Sequence, residues 1–515
     1  MSDITDLTAH ELAAAVRTRT LSCRETMQAF LARIDAVNPR VNAIVSRRDS
    51  DALLDEAAAC DALLGRPGER DVARPFLFGL PQAIKDMAPT AGLTTTSGSP
   101  LLRHHVPATD GLMVARMKAA GCIVVGKTNT PEFGLGSHTF NEVFGATRNA
   151  FDPSRSAGGS SGGAAVALAT RMLPVADGSD SMGSLRNPAA WANVFGFRPS
   201  QGRVPQVPAQ DVWVTHFGIA GPMARSVRDL ALLLDVQAGY DARAPLSLAS
   251  EASFAARLEE GAGDEYAAPT RIGWLGDLGG HLAFEAGILD VCAAGLARLE
   301  SSGCRVEPMA LGFSPERLWR AWLTWRWWLV HGRIAPYLVE PANRAHIKPE
   351  ALWEHDQGAL LTAAQMMAAS VERSAFYQHV LTLFEKVDVL ALPTTQVWPF
   401  PVQWRWPEQI AGRTMDTYHR WMEVVILATF AGLPCISVPV GFNAAGLPMG
   451  MQLIGRPRAD LAVLRLAKGY EAAASDLLAV RPALGRTEPM PSVGDAGLSY
   501  ANLRVPGRQA RPPVR

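Results

Sequence analysis

The chain has 515 residues, 48% of them apolar and 19% charged, and its 49 basic and 49 acidic residues balance to a formal net charge of zero. This is the composition of a globular chain with material for a large core. The balance leaves no electrostatic footprint for nucleic acid or an anionic membrane, and six cysteines without a C-x-x-C spacing argue against a disulfide framework or a metal site.

The opening stretch "MSDITDLTAHELAAAV" carries acidic residues where a signal peptide needs basic ones. No apolar run reaches transmembrane length, so a soluble, cytoplasmic protein in a reducing compartment is expected. Thr8 with Glu11, and Ser22 with Glu25, match the capping box that opens a helix. Met27, Phe30, Leu31 and Ile34 then recur at helical spacing. With "SDALLDEAAACDALLG" as a third helix, residues 1–65 read as a helical segment packed on the core, ended by "LLGRPGER".

From about residue 76 the texture changes. "FGLPQAIKD", "GCIVVGK" and "DVLALPT" read as buried strands, with "DGLMVARMKAAG" and "SVRDLALLLDVQAG" as helices between them. Alternating strands and helices predict an α/β fold: a large, twisted mixed β-sheet with helices on both faces. The catalytic unit is placed at 66–485, with 240–390 helix-rich, and 486–515 reads as a C-terminal tail that wraps the surface or is partly disordered. Five tryptophans fall between Trp319 and Trp328. They read either as core or as the wall of an apolar pocket.

Two motif matches fail on chemistry. "GCIVVGKT", from Gly121, fits the phosphate-loop pattern, but its β-branched residues favour a strand and "TNTPEFG" after Lys127 does not open a helix. "GSSGG", from Gly159, fits G-x-S-x-G, which would make Ser161 an elbow nucleophile. No strand runs into that turn.

Three other pieces do suggest chemistry. Lys85 ends an apolar run in a chain with only five more lysines: Lys118, Lys127, Lys348, Lys386 and Lys468. "GGSSGGAAVALA" starts at Gly158 and "GSDSMGSLR" at Gly178. Glycine-rich turns converge backbone N–H groups on an oxyanion, but a serine hydroxyl still needs a base. His138 and His216 are the nearest histidines to the second cluster, and neither sits in a glycine-rich loop. A lysine can replace them if burial neutralises its amine. The alternative at this point is an ordinary ion pair of Lys85 with Asp86.

Together these stretches resemble the amidase signature family of serine hydrolases. The likeness runs from "VNAIV" at residue 41 to "GLPMGMQLIGRPRAD" ending at 460, through "GLPQAIKDMAPTAGLTTTSGS", "GKTNTPEFG", "FGATRNAFDPSRSAGGSSGG", "GPMARSVRDLALLLD" and "FAGLPCISVPVGF". It implies the amidase-signature form of the α/β/α sandwich and a triad of Lys85, Ser160 and Ser184. Lys85 is the implied base, Ser160 the bridge held by a cis peptide bond, and Ser184 the nucleophile. Backbone N–H groups of Ser181, Met182, Gly183 and Ser184 are the implied oxyanion donors. Asp180 and Arg186, which flank the nucleophile, read as an ion pair that fixes the loop. The family usually has Thr-Gly-Gly-Ser where this chain has Ser181-Met182-Gly183-Ser184. A left-handed backbone there would strain Met182; otherwise its thioether lines the acyl pocket.

The function expected is hydrolysis of a C–N bond in an amide, carbamate or anilide through an acyl-enzyme. No cofactor or metal is expected. The partner is a small-molecule amide, neither nucleic acid nor membrane is expected, and a homodimer is allowed. The tryptophan-rich stretches favour an aromatic or apolar substrate, with Met182, Trp319, Trp322 and Trp328 as candidate pocket residues. A glutamine-hydrolysing transamidation subunit is the alternative, and a catalytically silent binding protein a third reading.

Overall fold

The computed structural model describes residues 3–65, 74–214, 217–249, 252–260, 269–484 and 500. Three helices open the chain: Ala9–Thr18, Cys23–Val41 and Ser50–Gly65. Both capping boxes form; Glu25 Oε2 accepts the Ser22 N–H at 2.9 Å while Ser22 Oγ accepts the Glu25 N–H at 3.0 Å. Met27, Phe30, Leu31 and Ile34 are all buried, as one apolar helical stripe should be. The first helix is tied to the body by Asp229, which accepts the N–H groups of Ala9 and His10, each at 2.9 Å. A carboxylate at a helix N-terminus satisfies orphan donors and the helix dipole together.

Among the described residues two pairs of short strands stand apart, and eleven strands build the two larger sheets. The smaller contains β1 (Ile44–Val45), β2 (Pro81–Lys85) and β3 (Ile123–Thr128), with β3 in the middle, antiparallel to β1 and parallel to β2. The larger contains β4 (Val175–Asp180), β5 (Phe195–Arg198), β6 (Ile219–Ala224), β7 (Arg271–Trp274), β8 (Arg305–Pro308), β9 (Val389–Pro393), β10 (Cys435–Phe442) and β11 (Pro448–Gly455). Its order is β8-β7-β9-β11-β10-β5-β6-β4, parallel only at β8-β7 and β7-β9. The fold is thus α/β with a large mixed sheet. The strand that ends in Lys85 lies outside that sheet, beside its edge strand β4, where the Lys85 N–H faces both Asp177 carboxylate oxygens at 3.2 and 3.3 Å.

The apolar runs β9, β10 and β11 are almost wholly buried, as strands covered on both faces must be. The stretch that mimics a phosphate loop is the strand β3, buried throughout. The helix Gly162–Ala169 after the first serine cluster is buried along its length, which its small side chains permit. Among the described residues no helix is long and apolar enough to cross a membrane. The tail expected at 486–515 lies outside the described residues except for Tyr500, whose hydroxyl donates to Glu132 Oε2 at 2.9 Å. Its ring packs edge-on against Phe140.

Candidate active site

Lys85 is 1% exposed at the end of β2. Its Nζ lies 2.8 Å from Ser160 Oγ, 2.9 Å from Ser161 Oγ and 3.0 Å from Ser179 Oγ. Desolvation lowers its pKa to about 7; Asp177 and Asp180 oppose the drop and Arg333 adds to it. Asp86, the ion-pair partner left open by the sequence, instead accepts the N–H of Thr96 at 3.0 Å and the Thr96 hydroxyl. Lys127 is buried too, but its amine is engaged by Ala88 O at 2.7 Å and Thr90 Oγ1 at 2.8 Å, away from the serines.

One loop and the strand β4, which leads into a second loop, meet at this amine. The Gly159–Ser160 peptide bond is cis. Ser137 grips it from both sides: its Oγ donates to Gly159 O at 2.6 Å and accepts the Gly159 N–H at 3.1 Å. The Ser161 N–H donates to Ser184 O at 3.2 Å, joining the first loop to the second. Ser160 and Ser184 are buried, and Ser161 caps the helix Gly162–Ala169, with no strand before it to make a nucleophile elbow. His138 is engaged by Ser156 Oγ at 2.8 Å and Val402 O at 3.1 Å, while His216 lies outside the described residues.

The second loop is held by a buried ion cluster. Arg186 Nε donates to Asp180 Oδ2 at 3.0 Å and its Nη2 to Oδ1 at 3.1 Å. Arg198 Nη1 lies 3.4 Å from the same Oδ1. Burial alone would raise the Asp180 pKa, but the two guanidinium groups overcome it and hold the carboxyl well below its usual range. Arg186 also reaches Gln452 Oε1 at 2.7 Å and Thr429 Oγ1 at 3.0 Å, so the loop is pinned to β11. Asp180→Asn is expected to destabilise the fold by about 3–5 kcal/mol, because it leaves two buried cations uncompensated. Urea unfolding at pH 7.5 measures the loss.

Asp180 Oδ1 also accepts the Gly183 N–H, at 2.8 Å. Of the four donors expected for an oxyanion, Gly183 therefore serves the loop itself. The N–H groups of Ser181, Met182 and Ser184 have no protein acceptor among the described residues. The left-handed backbone falls on Gly183, at φ +80°, where an added Cβ would lie 2.6 Å from Asn187 Oδ1. Met182 is not among the residues of positive φ, so it is not strained there. Its side chain is buried in the apolar cluster of Phe217 and Trp322, with Sδ 4.0 Å from Arg326 Nη1.

A cavity of about 450 Å³ is lined by Gly134, Ser181, Phe217, Trp322, Trp328 and Arg333 among others. Trp322 and Trp328 are among its lining residues and Trp319 is not, and Trp322 is itself 0% exposed. Trp319 is 1% exposed, stacked on Trp322 at 5.2 Å between ring centroids and covered by the Arg420 guanidinium at 4.6 Å. It is a core residue. A second cavity of about 330 Å³ reaches Lys85, Asp177 and Ser179 between Met87, Met113 and Val207. Among the described residues no three His, Cys, Asp or Glu side chains are grouped to hold a metal ion.

Sequence reasoning passed over Asp177, Ser179 and Arg198. Asp177 and Ser179 stand two apart on β4 and therefore share the face turned to Lys85. That alternation in "VADGSD" was the available signal. Nothing in the sequence joins Arg198, at the end of β5, to Asp180.

The fold and site define an α/β protein whose buried lysine meets serines from a glycine-rich loop and from the strand β4. The chain belongs to the Amidase family, whose model matches residues 25–464. It is 33% identical over 482 residues to an acylamidase of Rhodococcus erythropolis, covering 90% of this chain and 95% of that one. It is 36% identical over 500 residues to the A component of the Glutamyl-tRNA(Gln) amidotransferase of Thermus thermophilus, covering 90% and 97%. The crystal structure of a bacterial aryl acylamidase of the amidase signature family superposes with a TM-score of 0.83 at 30% identity, over 92% of this chain and 99% of that one.

Proposed function

We propose that this protein hydrolyses the C–N bond of a carboxylic amide through an acyl-enzyme on Ser184. The observation that carries this reading is the Lys85 amine, buried, with a pKa near 7 and 2.8 Å from Ser160 Oγ. Neutral Lys85 takes the proton of Ser160, Ser160 takes that of Ser184, and Ser184 Oγ attacks the carbonyl. The N–H groups of Ser181, Met182 and Ser184 receive the oxyanion, and Gly183 keeps the loop closed through Asp180. The protonated relay returns a proton to the leaving amine, and water then hydrolyses the ester to free Ser184. The smaller cavity reaches Lys85 and Ser179, the larger one reaches Ser181 on the loop that carries Ser184, and the aromatic side chains on the larger one suit an apolar substrate. The aryl acylamidase likeness supports the same class.

The test is a panel of aryl and alkyl amides, carbamates and esters with the purified chain alone, alongside a fluorophosphonate probe located by peptide mass. Turnover and a label on Ser184 are expected; no turnover and no label would sink the reading. The likeness to the amidotransferase component favours a second reading, glutamine hydrolysis with ammonia passed to a partner. It requires glutaminase activity that rises on adding partner proteins, and an aryl amidase active by itself argues against it.

A further inference from the structure

The larger cavity contains one feature that amide hydrolysis as such does not use. Arg333, in the last turn of the helix Pro315–Ile334, lines it and is exposed to it. Its Nη1 donates to Phe133 O at 3.0 Å, and it forms no ion pair among the described residues. The other arginine on the cavity wall is paired, as are three more in the same half of the chain. Arg326 on the same wall is locked by Glu354 at 2.7 and 2.8 Å and by Tyr418 Oη at 2.8 Å. Arg405 is paired with Glu350, Arg344 with Asp356, and Arg420 with Glu316 and Glu423. The one carboxylate on the cavity wall among the described residues, Asp211, accepts the N–H groups of Trp213 and Val214 in its own loop.

The anchor of Arg333 also sets its distance from the chemistry. Phe133 and Gly134 are consecutive left-handed residues, at φ 51° and 69°. Such a turn is costly for phenylalanine and persists where the surroundings hold it. It aims the Phe133 carbonyl at Arg333, while a Cβ on Gly134 would stand 3.6 Å from Ser160 Oγ. The guanidinium is therefore held one residue away from the serine relay, on a wall that also holds Phe217, Trp322 and Trp328 beside the polar Gln206, Gln210 and His331.

We infer that Arg333 is a specificity residue that selects aromatic amides bearing a carboxylate, pairing the anion while the ring lies on the tryptophan wall. A planar guanidinium with free N–H donors matches a carboxylate in geometry and charge. This rests on the hydrolytic reading above. The experiment compares 4-acetamidobenzoate with 4′-nitroacetanilide, which have the same shape and differ by one charge, at pH 9, where Lys85 is neutral. The ratio of kcat/KM for the anionic to the neutral anilide is expected to fall about tenfold in Arg333→Met, a modest figure because the pair is partly exposed. Part of the ratio should return in Arg333→Lys. In the wild type the ratio should also fall as NaCl rises from 0.05 to 0.5 M, an arm that needs no variant to fold. An unchanged ratio in both arms overturns the inference. If the wild type cleaves neither anilide, the hydrolytic reading fails; calorimetry of 4-acetamidobenzoate with the wild type and Arg333→Met then still decides the role of Arg333. Equal affinity for the two proteins, or none for either, overturns it.

Discussion

Ser184→Ala is expected to cut turnover of an aryl amide by roughly four to six orders of magnitude with little change in unfolding midpoint. The substitution removes one hydroxyl and leaves the backbone that organises the loop. Ser184 O still accepts from Ser161, and Asp180 still holds the N–H groups of Gly183 and Leu185. Without the nucleophile no acyl-enzyme forms, and the donors left behind give only weak catalysis of direct attack by water. Lys85→Met should fall to a similar floor, because an unactivated serine hydroxyl is a poor nucleophile. The double variant should be little worse than either single one, since members of a relay act as a unit. Initial rates with 4′-nitroacetanilide, read beside the phosphonate label, check all three. An effect of Ser184→Ala below about tenfold would place the nucleophile elsewhere.

Local chemistry in the sequence reached far into this fold. The capping boxes at Thr8 and Ser22 need only neighbours three residues away, and both form in the structure. The buried strand that ends in Lys85 was legible from its apolar run. What could not be read is set by partners far along the chain. The place of that strand outside the large sheet depends on pairing with Ile123–Thr128 and on contact with β4, neither of which its own residues encode. Trp319 and Trp322 are one helical turn apart with the same side chain, and both are buried. Nothing in the helix itself tells that Arg420, far along the chain, covers Trp319 while Trp322 carries Arg326 beside the cavity. The hydrogen bond from the Gly183 N–H to Asp180 likewise depends on the rotamer of Asp180, three residues away. Met182 shows another limit: the backbone angle removes the strain the sequence allowed for, while its side chain lies buried in the apolar cluster and lines neither of the two cavities.

kcat/KM for a neutral aryl amide is expected to rise with pH along a limb centred near 7 and to level off above it. The sign follows from which form of the lysine works. Only the neutral amine can take a proton from Ser160, and burial brings the Lys85 pKa down to about 7 against the opposing fields of Asp177 and Asp180. Below that pH the ammonium accumulates, so activity should drop about tenfold per pH unit. Asp177 faces the same cavity, and burial raises its pKa to about 6 against the hydrogen bond from the Lys85 N–H and the charges of Lys127 and Lys85. The acid limb therefore belongs to a coupled pair. Asp177→Asn keeps an acceptor for the Lys85 N–H but removes the negative charge that favours the ammonium, so the limb should move to lower pH, by about one unit. Arg333→Met should move it the other way, because the lost cation had favoured the neutral amine. Rates from pH 5 to 10 with wild type and the two variants give three midpoints whose order is fixed in advance: Asp177→Asn lowest, wild type between, Arg333→Met highest. An optimum near pH 5, or midpoints in any other order, would remove Lys85 from the role of base, since Asp177 and Arg333 act on its amine in opposite senses.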